Sequence, residues 1–99
     1  MAVVRFTPRV ERDLDQLALF LVESSPAEAE KTFQIVDDAL MLLARHPEIG
    51  HPVDDGLRKL MISCGRTGYV ALYVFDEIGD EVWVLAVRHQ REAGFGPAP

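Results

Sequence analysis

At Leu57 the apolar residues of this chain change their spacing, and that switch limits the fold more than any other feature of the sequence. Upstream, from Val10 to Leu43, they recur every three to four positions, which lines one face of a helix. Downstream they alternate with polar residues or run together, as strands do. Helices followed by strands build an α+β domain, with the helices gathered on one side of a small, mainly antiparallel sheet.

The helical half divides in two. In "TPRVERDLDQLALFLVE", Thr7 is placed to cap a helix and Pro8 to open it, where a missing N–H costs nothing. Val10, Leu14, Leu17 and Leu21, widened by Ala18 and Val22, form one apolar face. "SSPAEAE" restarts a helix. Ser25 is expected to cap it, Pro26 to open it and Glu28 to complete a capping box. Phe33, Val36, Leu40 and Leu43 carry the second stripe, flanked by Ile35, Ala39 and Leu42. Arg45 and His46 suit the negative end of the helix dipole, and Pro47 and Gly50 stop the helix. Two helices joined this closely make an antiparallel hairpin.

"AVVRF" precedes the helices as a short strand, with Val4 and Phe6 on one side. "LRKLMIS", "GYVALYVFD" and "EVWVLAVRH" supply three more strands, the last two joined by a tight connection through Asp76 to Asp80. "YVALYVF" is apolar at every position, so it is expected at the centre of the sheet with cover on both faces. The expected order is β-α-α-β-β-β: a helical hairpin on one face, and a concave opposite face for something else to cover. Residues 1–99 read as one domain, with an irregular Gly/Pro tail from about Gly94.

Charge narrows the function. The chain carries −6 overall, which argues against simple polyanion binding. The distribution is uneven. Residues 1–12 balance to +2, residues 13–56 hold ten acids against Lys31 and Arg45, and residues 57–99 balance to zero. A basic patch therefore remains available outside the middle of the chain. Lone Cys64 excludes an internal disulfide and a thiolate metal cluster. His46, His51 and His89 are too scattered to suggest a metal site. No apolar run is long enough for a membrane span or a signal peptide, so a cytoplasmic protein without a metal or cofactor is expected.

The ordered set of a strand into "TP", a helical hairpin, "HPEIGHPV", "LRKL", "GYVALYVF" and "VWVLAVRHQREAGF" resembles the RelE/ParE superfamily of bacterial toxins, over nearly all of residues 3 to 95. These are the toxin halves of type II toxin–antitoxin pairs, often labelled plasmid stabilisation proteins. The resemblance implies a cytoplasmic toxin silenced by a cognate antitoxin that wraps an extended or helical segment over it. Two mechanisms live on that fold. RelE-like members cut mRNA on the ribosome. ParE-like members poison DNA gyrase and have no catalytic residues of their own.

The departures from the nuclease pattern point to the second. RelE-like nucleases commonly place Arg after the Tyr of the "GY" strand, where this chain has Val70 after Tyr69. They tend to carry Lys on the preceding strand, which here offers Met61 and Ser63, with Lys59 at its start. They often use a Tyr near the C-terminus, where Phe95 stands. A ParE-like gyrase inhibitor that is not an enzyme is the expectation. The alternatives are a RelE-like endoribonuclease using some of Arg58, Arg66, Arg88, His89 and Arg91, and a non-toxic remnant that only binds antitoxin. Contacts with target or antitoxin are expected at Arg58, Arg66, Tyr69, Arg88, His89, Arg91 and Phe95. In a regular strand Arg88 shares the phase of Val82, Val84 and Ala86, and His89 that of Trp83, Leu85 and Val87. The two would then point to opposite faces.

Overall fold

The computed structural model describes residues 1–64 and 67–90 of the 99. Its elements are β1 (Val3–Phe6), α1 (Pro8–Ser24), α2 (Ala29–Leu42), β2 (His51–Pro52), a 3-10 turn (Asp54–Gly56), β3 (Leu57–Cys64), β4 (Thr67–Asp76) and β5 (Glu81–His89). The sheet runs β1-β5-β4-β3-β2. β1 lies parallel to β5, and every other pairing is antiparallel. Strand β4, which contains the apolar run Tyr69 to Phe75, is central, as its pattern requires. The two-residue β2, which pairs His51 and Pro52 with Lys59 and Arg58, is too short to leave a periodic signal.

Both helices pack on one face of the sheet. Val10, Leu17 and Leu21 of α1 and Val36 and Leu40 of α2, with Leu43 just beyond it, meet Ile62, Tyr69, Ala71, Tyr73, Val82, Val84 and Val87 in one core. Val4 and Phe6 of β1 flank it. The Thr7 hydroxyl accepts the Val10 N–H at 3.3 Å, so α1 begins where its cap and Pro8 place it. No helix is long and apolar enough to cross a membrane among the described residues.

Two local expectations fail for physical reasons. Ser25 does not cap α2. It closes α1, its N–H bonded to the Leu21 carbonyl at 2.8 Å. Pro26 disfavours helical backbone at the residue before it, so the chain leaves the helix at Ser25 and turns. The second helix starts only at Ala29, without a side-chain cap. Val22, placed in the apolar face by its spacing, is 59% exposed. At the other end of the chain, β5 is irregular. Leu72 pairs with Ala86 and Tyr73 with Val84, which leaves Leu85 as an extra residue. The bulge inverts the phase of the strand end. His89 joins the face of Val82 and Val84 towards the helices, and Arg88 falls on the face of Trp83.

The opposite face of the sheet carries Lys59, Met61, Val70, Leu72, Val74, Trp83, Ala86 and Arg88, as the strand registers dictate. Val70 and Ala86 are buried, Leu72, Val74 and Trp83 half-buried, and Met61 exposed. At its edge Arg5 pairs with Glu81 and stands over the Trp83 ring, 5.9 Å from its centroid.

Candidate functional site

The candidate residues separate into two places. Around the first turn of β4 and the end of β5, a cleft of about 220 Å³ opens between α1 and the sheet. Tyr69, Val87, Arg88 and His89 line it from the strands, and Asp13, Gln16, Leu17 and Phe20 from the helix. Tyr69 is buried and meets His89 edge to face, ring centroids 5.3 Å apart. Asp13 ties the two walls together, because its Oδ2 accepts the Val87 N–H at 3.1 Å beside the bulge. The cleft thus has an aromatic and aliphatic floor with polar groups of both signs at its rim.

The bulge brings His89 to this cleft: it turns His89 in towards Tyr69 and sends the adjacent Arg88 to the other face of the sheet, so that Arg88 borders the cleft only at its rim. Among the described residues Arg88 forms no ion pair, although a partner acid on a helix is the simplest expectation for a strand-end arginine. The helical half of the lining is legible in hindsight. Asp13, Gln16, Leu17 and Phe20 follow helical neighbour spacing, but a face seen alone does not show which strand end it meets.

Arg58 lies at the other end of the sheet. Its Nη1 donates to the carbonyls of Glu48 at 3.0 Å and Gly50 at 2.8 Å, and its Nη2 is 3.5 Å from the Glu48 carboxylate. Tyr73, fully buried, braces the same loop. Its hydroxyl donates to the Pro47 carbonyl and accepts the Gly50 N–H, each at 2.8 Å. Burial pushes the Tyr73 pKa up, the Gly50 N–H and the Arg58 charge pull it back, and Glu48 adds to the rise. In this setting Arg58 holds the Pro47–Gly50 loop against β3 and is remote from Tyr69 and His89. Of the remaining candidates, Arg66, Arg91 and Phe95, like the expected tail from Gly94, lie outside the described residues. Cys64 is half-buried, and burial raises its thiol pKa.

With this geometry in view, a family profile described as "ParE toxin of type II toxin-antitoxin system, parDE" matches residues 4–94. Toxin RelE3 of Caulobacter vibrioides is 31% identical over 93 residues, covering 93% of this chain and 98% of that protein. Toxin RelE1 of the same organism is 31% identical over 84 residues, covering 85% and 88%. The chromosomal ParDE system from P. aeruginosa contains a chain of the same fold, TM-score 0.74 at 22% identity, with 90% of this chain and 96% of that one covered. A chain of the RelBE2 toxin–antitoxin complex from Mycobacterium tuberculosis aligns with TM-score 0.58 at 28% identity, covering 90% and 98%. The profile match and the two relatives at 31% identity, each aligned over most of both chains, make this chain a toxin of the RelE/ParE superfamily of type II toxin–antitoxin systems. Within that superfamily, the chain belongs to the ParE toxin family.

Proposed function

We propose that this toxin is neutralised by direct contact with a cognate antitoxin, acts in the cytoplasm, and arrests growth by binding DNA gyrase without catalysing a reaction. The observation that carries this reading is the chemistry of the sheet face away from the helices. Phosphodiester cleavage needs a group to take the 2′-OH proton, cations for the phosphate and an acid for the leaving oxygen. The central position after Tyr69 is Val70, only 3% exposed and registered between Met61 and Arg88. Leu72, Val74 and Trp83 continue the apolar surface. Apolar surface suits contact with protein more than with RNA.

The Caulobacter relatives carry the RelE name, and the resemblance to RelE-like members implies a second reading, a ribosome-dependent mRNA endonuclease. Some of Arg58, Arg66, Arg88, His89 and Arg91 would then supply its charged and proton-carrying groups, Arg58 being already engaged with the Glu48 and Gly50 carbonyls. Induction with and without the neighbouring antitoxin gene decides between them when followed by primer extension on cellular mRNA. The gyrase reading predicts growth arrest relieved by the antitoxin, a DNA-damage response, and intact mRNA. Codon-positioned cuts would establish the nuclease instead. Unimpaired growth would identify a non-toxic antitoxin-binding remnant.

A further inference from the structure

The second half of α1 contains six consecutive apolar residues, Leu17 to Val22, and one helix face cannot bury them all. Leu17 and Leu21 enter the core, whereas Leu19, Phe20 and Val22 are 62%, 56% and 59% exposed. A helix stretch that is apolar on every side is normally covered on every side. Phe20 also borders the cleft that runs down to Tyr69 and His89, so the exposed surface leads into a recess.

Charge identifies what covers it. From Asp13 to Glu30 the chain carries five carboxylates, Asp13, Asp15, Glu23, Glu28 and Glu30, and no lysine or arginine. Asp15, Glu23, Glu28 and Glu30 are exposed around the apolar residues. A second copy of this chain would bring the same carboxylates face to face, and nucleic acid or an anionic membrane would be repelled. A cationic polypeptide gains from both parts of the surface.

We propose that the outer surface of α1 and of the turn into α2, from Asp13 to Glu30, is the docking site for a basic amphipathic segment of the antitoxin. Its apolar side covers Leu19 and Val22 and sends one anchor side chain past Phe20 into the cleft. Its lysines and arginines face Asp15, Glu23, Glu28 and Glu30. This rests on the reading of the chain as an antitoxin-controlled toxin, and adds the chemistry and location of the contact.

The test measures binding of the full chain to the antitoxin encoded beside it, by titration calorimetry at low and physiological salt. Leu19→Asp and the double reversal Glu23→Lys with Glu28→Lys are compared with Asp54→Lys and Glu77→Lys, which change exposed carboxylates elsewhere. Circular dichroism melts confirm that each variant folds. Both the Leu19→Asp and the double-reversal variants should weaken binding by about tenfold or more, and the double reversal should remove most of the salt dependence. The two control variants should bind like the unchanged chain. Unaltered affinity in Leu19→Asp and the double reversal, or an acidic antitoxin segment in contact with α1, overturns the inference. An antitoxin that does not bind even the unchanged chain overturns the proposed function instead. In that event a helical peptide of Leu and Lys and its Leu and Glu counterpart test the surface directly. Binding of the basic peptide alone, lost in Leu19→Asp, upholds the site, and any other pattern rejects it.

Discussion

Tyr73 shows how much one side chain organises here. Its ring lies in the core while its hydroxyl satisfies both the Pro47 carbonyl and the Gly50 N–H. Tyr73→Phe leaves those groups without that partner and should lower stability by about 1–3 kcal/mol in denaturant titrations. The raised pKa gives a sign as well. The folded state holds the phenolic proton more tightly than the unfolded chain, so Tyr73 contributes stability below the ordinary tyrosine pKa of 10.0 and loses it as pH rises through the higher folded value. Unfolding free energy should therefore decline above pH 10, and decline less in Tyr73→Phe. Gly50→Ala is the companion change. A Cβ there would stand 2.6 Å from the Tyr73 ring and hydroxyl, so ring or loop must shift, and a clear drop in melting temperature is expected. None of this was legible in the sequence. The apolar pattern placed Tyr73 in a central strand, but a partner 23 residues away leaves no local trace.

Elements were legible where local chemistry and tertiary packing agree. Thr7 and Pro8 start α1 as their types require, and Thr7→Ala should cost about 1 kcal/mol of stability. The β4–β5 connection contains Gly79, yet Asp80 takes the left-handed backbone, φ 53°, while Asp76 accepts the N–H groups of Ile78 and Gly79. Asp80→Gly should leave stability unchanged or raise it slightly, as measured by thermal melts. The bulge at Leu85 is the element-scale feature that strict alternation conceals. It turns His89 towards Tyr69 and leaves the Val87 N–H to Asp13. Asp13→Ala removes that tie between α1 and β5. It should destabilise the fold by about 1–2 kcal/mol and speed amide exchange at Val87, read by NMR.

At the scale of the molecule, the acidic middle of the chain was visible from the start, but its meaning depends on the fold. Residues 13–56 include all of α2 and all but the first turns of α1, so the negative charge gathers on the helical side, only partly offset there by Arg9, Arg12 and Lys31, while Arg5, Lys59 and Arg88 belong to the sheet. The protein therefore offers two unlike surfaces, one suited to a basic partner and one largely apolar with cations at its edge. The superfamily was legible because the order of elements and the strand patterns extend over nearly the whole chain. The target was less so, since one scaffold carries both nuclease and gyrase-binding members and only side chains distinguish them. The most direct measurement is DNA supercoiling by purified gyrase in the presence of purified toxin. Dose-dependent loss of supercoiling with accumulation of cleaved DNA, reversed by the antitoxin, is the predicted result. Full supercoiling activity at toxin concentrations that arrest growth would contradict it.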